Sequence, residues 1–60
     1  MKVSEFYKLA YDTQYVNNNL HLAAAMCQLV VKNFPEDKEA VYAKKQLAHL
    51  ESLGVDIVNL

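Results

Sequence analysis

The sequence has very little of the material that links, bends or loosens a small fold. Its single cysteine, Cys27, excludes an internal disulfide, and with only two histidines beside it the chain is poor in metal ligands. One glycine and one proline against 53% hydrophobic residues argue for ordered helix and against a disordered chain. We therefore expect a helical protein that holds no metal ion and no cofactor.

Charge of one sign is also missing, and so is a long hydrophobic run. The net charge is −1, which leaves no electrostatic footprint for nucleic acid or an anionic membrane. No apolar segment follows Lys2 at the N-terminus, so a signal peptide is not expected. The longest strongly apolar run, Leu20 to Val31, has about 12 residues, whereas a bilayer span needs about 20. These features predict a cytoplasmic protein that binds neither nucleic acid nor membrane.

What the sequence does contain is a helix, Leu20 to Phe34, that is apolar on nearly every side. At about 100° per residue, the polar side chains of His21, Gln28 and Lys32 fall within an arc of about 40°. Such a helix needs neighbours on nearly all sides, but a chain of this length buries only about 60% of its unfolded surface. With disulfides and metals excluded, oligomerisation is the remaining support for so small a core.

The pattern predicts an all-α fold of three helices, at about 4–16, 20–33 and 36–53, in a single domain over residues 1–60. Ser4 is a suitable N-cap for the first helix. Residues 17–19 are asparagines, which can end one helix and cap the next. Pro35 and Asp37 compete to start the third helix. Gly54 is predicted to end it in a Schellman motif, in which Val55 contacts Leu50.

Each outer helix carries one apolar face that can cover helix 2. The predicted core faces are Phe6, Leu9, Ala10, Thr13 and Val16 on helix 1, and Ala40, Ala43, Leu47 and Leu50 on helix 3. Helix 2 then lies between helices 1 and 3, and a second copy completes a homodimeric helical bundle. The apolar tail, residues 55–60, either docks on the helices or pairs as a short strand with the tail of another subunit.

A stripe of tyrosines at helical spacing lies beside the apolar face of helix 1. Tyr7, Tyr11 and Tyr15 suit packing at a helix–helix or subunit interface, with the hydroxyls reaching water. The same stripe suits contact with a partner peptide, or stacking of single-stranded bases. The near-neutral charge favours packing and disfavours bases, because base stacking normally comes with lysines and arginines.

No arrangement in the sequence is typical of a catalytic site. His21 and Lys32 lie about 16 Å apart along the helix axis, and no carboxylate accompanies them on that helix. Cys27 is in the middle of the helix, about 120° around it from His21, which is typical of an inert core residue. We expect that the protein is not an enzyme.

The second helix and the corner after it resemble the tetratricopeptide repeat family, whose units are helix–turn–helix hairpins of about 34 residues. The residues that carry the resemblance are Ala23, Cys27, Val30 and the Phe34-Pro35 corner, which an acidic helix start follows. In the first helix an aromatic residue of the family pattern is matched at Tyr7. The resemblance covers about residues 6–53. It implies a helical module that binds partner proteins without catalysis and needs stacked neighbours for stability.

The sequence therefore predicts a protein–protein interaction module: a small adaptor, chaperone-like protein or regulatory subunit that self-associates through helix 2. Met26, Leu29 and Val30 form the predicted interface, with Leu22 and the tyrosine stripe (Tyr7, Tyr11, Tyr15) at its margin. A small dimeric regulator that binds nucleic acid is the alternative, although the lysines of helix 3 are offset by acidic residues.

Overall fold

A computed structural model describes residues 2–55. Three helices follow one another along the chain: α1 (Val3–Tyr15), α2 (Leu20–Asn33) and α3 (Lys38–Ser52). Over residues 2–55 there is no strand, and none of these helices is long and apolar enough to cross a bilayer. The predicted all-α, three-helix fold is confirmed. The prediction for the tail, docking or strand pairing, falls on residues 56–60 and so lies outside the described residues.

The start of α1 differs from the prediction. Ser4 lies inside the helix, and the N-cap is Lys2, whose side chain makes no capping bond. Instead the Lys2 carbonyl oxygen accepts the amide protons of Glu5 and Phe6, each at 3.1 Å. Val3 is thereby included in the helix, where it packs against the core. The packing of this partly buried valine against the core favours the earlier start, although Ser4 is the better capping residue.

The asparagine corner between α1 and α2 performs both of its predicted tasks. Asn18 has a left-handed backbone (φ 58°), which asparagine tolerates better than most residues. The Asn19 side chain caps α2 by accepting a hydrogen bond from the Leu22 amide at 3.3 Å. The Asn19 amide itself donates to the Thr13 carbonyl at 2.9 Å. This corner therefore fixes the reversal of the chain that brings α2 back along α1.

Between α2 and α3, Asp37 takes the N-cap position without a side-chain bond, and α3 begins at Lys38. The third helix thus starts two residues later than predicted, because Pro35 belongs to the preceding turn. At its other end, α3 closes in the predicted Schellman motif. Gly54 has φ +91°, its amide donates to Glu51, and the Val55 amide donates to Leu50 at 3.2 Å.

The helix α2 packs on both of its neighbours, while α1 and α3 meet at few points. One core cluster joins all three helices through small side chains, and a second cluster joins α2 to α3 and Val55. Their buried members are Ala10, Cys27, Val30 and Ala43 in the first, and Ala23, Ala24, Leu50 and Val55 in the second. The predicted central position of helix 2 is confirmed. So is the predicted core face of helix 3, with Leu47 half-buried at its margin.

The buried face of α1 is rotated from the predicted one. Leu9 and Val16, assigned to the core from the sequence, are exposed, whereas Gln14 is buried. The reason is that α1 must face α3 as well as α2, which turns its buried arc toward Tyr7 and Gln14. The Gln14 side chain then accepts a hydrogen bond from the Nε2 of Gln46 on α3. This rotation leaves the side chains of Leu9 in α1 and of Val16 at its C-cap exposed to solvent.

Candidate functional site

Two surfaces stand out on the described part of the chain, and the first is aliphatic. We name it the α1–α2 face. It comprises four exposed residues: Leu9 of α1 (47% exposed), Val16 (74%), which is the C-cap of α1, and Leu22 (49%) and Leu29 (37%) of α2. An isolated exposed leucine is ordinary, but a cluster of large apolar side chains marks an interaction site more often than chance.

This face surrounds one of the contacts between α1 and α2. The hydroxyl of Thr13 lies 3.6 Å from the sulfur of Met26 and donates a hydrogen bond to the Leu9 carbonyl at 2.7 Å. Leu9 and Val16 lie one helical turn before and one turn after Thr13. Leu22 and Leu29 occupy the same positions relative to Met26. Residues one turn apart share a helix face, so the four aliphatic side chains flank the contact on both helices.

The residues predicted as the interface have different environments in the structure. Leu22 and Leu29 are exposed, and Met26 is partly buried against the core. Val30 was predicted to lie at the interface, but the structure buries it. It is fully buried (0% exposed) in the cluster that joins the three helices, so it belongs to no surface of the folded chain. A helix that contacts two neighbours buries the arc between them, and Val30 lies on that arc.

The sequence reasoning missed Leu9 and Val16 as surface residues. Both are apolar and in phase with Thr13, which is buried, and for that reason they were assigned to the core. Gln14, which is buried in their place, is polar, so the sequence did not indicate that it belongs to the buried face. Because α1 packs against two helices, its buried face is set by where those helices lie, and the sequence of α1 alone does not give that direction.

The second surface is a shallow groove between α1 and α3, which we name the tyrosine groove. Its walls are the four tyrosines of the chain, Tyr7, Tyr11 and Tyr15 from α1 and Tyr42 from α3, with Lys45, Gln46 and His49 completing the lining. The ring centroids of Tyr7 and Tyr42 are 6.1 Å apart, and those of Tyr11 and Tyr15 are 4.5 Å apart. The structure thus brings the predicted stripe together with Tyr42, which the sequence reasoning did not single out.

Burial affects Tyr7, which is the least exposed of the four tyrosines. The pKa of Tyr7 is raised, first by burial and then by the proximity of Cys27 and of the other tyrosines. A tyrosine in such surroundings keeps its proton at neutral pH and is therefore a hydrogen-bond donor. Tyr11, Tyr15 and Tyr42 are about half exposed, so their rings and hydroxyls are available at the surface.

The pair Gln14 and Gln46 links α1 to α3 beside this groove. Gln46 is buried and lines the groove, and its Nε2 donates to the Oε1 of Gln14. The Oε1 of Gln46 is also buried, and it has no hydrogen-bond partner among the residues that the structure describes. A buried carbonyl without a donor is costly, so this atom is an unsatisfied polar group next to an open groove.

The titratable groups of α2 are dispersed. His21 and Lys32 are both exposed, as the predicted polar arc requires, but the Oε1 of the third member, Gln28, is buried without a partner in the described part of the chain. Cys27 is fully buried, and burial raises its pKa to about 11. In residues 2–55, no three side chains of His, Cys, Asp or Glu come together as a group that could hold a metal ion.

Comparison with known proteins adds no assignment to this geometry. The chain matches no protein-family model, no curated protein and no solved structure.

Proposed function

We propose that the protein is a protein–protein interaction module that self-associates through the α1–α2 face. The observation that carries this proposal is the exposure of Leu9, Val16, Leu22 and Leu29, each of which lies one helical turn from a residue of the contact between Thr13 and Met26. The interface predicted from the sequence was centred on helix 2, with the tyrosine stripe of helix 1 at its margin. The structure supports a broader surface that α1 and α2 share.

The size of the chain favours association through such a face. A standard interface buries about 800 Å² on each partner, which is about a fifth of the 4131 Å² that this chain exposes. One side of a molecule of this size therefore supplies enough surface for a standard interface. A twofold dimer places the same patch on both copies, and an aliphatic patch on two antiparallel helices is suited to packing against itself.

The resemblance to tetratricopeptide repeats is consistent with this proposal. Hairpins of that family stack on neighbouring hairpins because one unit alone cannot bury its apolar faces. A second copy of this chain, packed on the α1–α2 face, would serve as that neighbour. The protein then acts as a small adaptor, chaperone-like protein or regulatory subunit, which works by binding other chains and not by catalysis.

Sedimentation equilibrium at micromolar concentrations tests the proposal, with Leu22→Glu as the test variant. Leu22 is about half exposed, so the glutamate is solvated in the monomer and the fold is retained; in the dimer the same charge would be buried without a partner. We expect the unchanged chain to sediment as a dimer and the variant as a folded monomer. Val41→Glu is the matched control, because Val41 on α3 is similarly exposed (51%) and lies outside the face.

Thermal unfolding supplies a second readout. Because only the folded chain associates, the Tm of the unchanged protein should rise with protein concentration, and the Tm of Leu22→Glu should not. A folded monomer at all concentrations would refute self-association. Equal dissociation by Leu22→Glu and Val41→Glu would show that the wrong face has been chosen.

A further inference from the structure

We propose that the tyrosine groove binds an acidic peptide segment of a partner protein, with a carboxylate of the partner held by Lys45 and an apolar side chain of the partner between the tyrosine rings. This site is separate from the α1–α2 face. On α1 the groove uses Tyr7, Tyr11 and Tyr15, whereas the α1–α2 face uses Leu9 and Val16.

The rings supply the apolar part of the recognition. Tyrosine offers a large rigid surface at a small cost in conformational entropy, which is why it is enriched at protein interfaces and among the residues that dominate binding energy. Four tyrosines converge here from two helices. Between residues 2 and 55 none of their hydroxyls is bonded to another group of the chain, so each can donate to an acceptor on a ligand.

Charge selects the kind of peptide. The chain as a whole has one more acidic than basic residue, yet among residues 2–55 no carboxylate lines the groove, and Lys45 brings a positive charge to it. A cationic ligand would be repelled by Lys45, although the rings alone would attract it. A nucleic acid strand would place several phosphates beside this one lysine, which cannot neutralise them. A peptide with one or two carboxylates matches the charge.

The unsatisfied carbonyl of Gln46 is a second feature beside the groove that a ligand can satisfy. Gln46 lines the groove, and its Oε1 is buried without a donor among the described residues. A peptide backbone brings amide N–H groups with it. A peptide amide that reaches Oε1 while Nε2 keeps its bond to Gln14 would supply the missing donor and remove the cost of leaving Oε1 unpaired.

Peptides that differ only in charge test the inference. The probes share the sequence Gly-Ser-Pro-Leu-X-Pro-Leu-X-Ser-Gly, acetylated and amidated at their ends, where X is Asp, Asn or Lys. Binding is followed by chemical shift changes in the ¹⁵N-labelled full chain. We expect the Asp peptide to bind, with shifts confined to residues around the groove and an affinity that falls as salt is added. The Asn peptide should bind roughly tenfold more weakly, and the Lys peptide more weakly still.

Two substitutions on α3 assign the charge contact. Lys45→Glu should weaken the Asp peptide by roughly tenfold or more and should remove its preference over the Asn peptide. Lys44→Glu is the matched control, since it makes the same change in charge on the neighbouring exposed residue, which does not line the groove. It should leave the tenfold preference intact.

The variants must remain folded, which a far-ultraviolet circular dichroism spectrum checks for each. Tyr11→Ala gives a separate test of the rings, since Tyr11 is about half exposed and its loss leaves the core intact. This variant should bind all three peptides more weakly.

Leu22→Glu should bind the Asp peptide as the unchanged chain does, which separates this site from self-association. Equal binding of the Asp and Asn peptides, tighter binding of the Lys peptide, or tighter binding of a poly-dT oligonucleotide would overturn the inference. So would the lack of any shift at millimolar peptide.

Discussion

At the scale of single residues, the surroundings of Cys27 decide its chemistry. Its sulfur has no exposed surface and lies in the cluster with Ala10, Val30 and Ala43. Burial disfavours the thiolate, so the pKa rises from its ordinary value of 9.0 to about 11. The position of Cys27 in the middle of an apolar helix predicted a core residue, and the structure shows that its side chain is fully buried.

This shift predicts how stability depends on pH. Below pH 9 the thiol is protonated in both the folded and the unfolded chain, and its contribution to stability is fully present. Between about pH 9 and pH 11 the unfolded chain loses the proton first, so stability falls by on the order of 2 kcal/mol. Urea unfolding of the unchanged protein and of Cys27→Ala across this range measures the effect. The two curves should converge as the pH rises; curves that stay parallel would contradict the burial of the thiol.

At the scale of elements, the ends of the helices follow from particular residue types where the backbone conformation is unusual. Asn18 and Gly54 both have positive φ, which glycine and asparagine adopt at little cost. Gly54 was assigned from the sequence, and for the first corner the sequence indicated the asparagine run 17–19 without singling out Asn18. Ser4 was assigned as a cap on the same kind of reasoning and is not one, because the helix begins one residue earlier and Val3 packs, partly buried, against the core. Local rules are reliable where no tertiary contact competes with them.

Substitutions of Gly54 test the Schellman motif at the end of α3. A Cβ added there meets nothing within 4 Å, so Gly54→Ala costs only the strain of the left-handed backbone, roughly 1–2 kcal/mol. Gly54→Asn should cost less, because asparagine tolerates this conformation. Chemical denaturation of the three proteins should rank them in the order Gly, Asn, Ala. A cost for alanine equal to that for asparagine would mean that the Schellman motif is not held by the backbone conformation.

At the scale of the whole molecule, the placement of α1 against both other helices decides which side chains meet. Gln14 and Gln46 are 32 residues apart in sequence and become a buried hydrogen-bonded pair. The same placement exposes Leu9 and Val16 and closes Tyr42 onto Tyr7. Both candidate surfaces therefore depend on one rotation of α1 about its axis.

The glutamine pair allows this placement to be tested. Gln14→Leu leaves the Nε2 of Gln46 buried without an acceptor, and we expect a loss of about 1–3 kcal/mol. Adding Gln46→Leu replaces both polar partners by apolar groups of similar size, which is nearly neutral or stabilising. A double-mutant cycle by urea unfolding measures the coupling. Additive losses from the two substitutions would show that these side chains do not meet.

The sequence by itself determined the three helices, their corners, the central position of helix 2 and the core face of helix 3, because periodicity and cap residues act within a few positions along the chain. The tertiary structure decided the rest: the buried face of α1, the burial of Val30 and the meeting of the four tyrosines. The physical reason is that a helix with two neighbours buries the arc between them. The direction of that arc depends on where the neighbours lie, which a pattern along one helix does not contain.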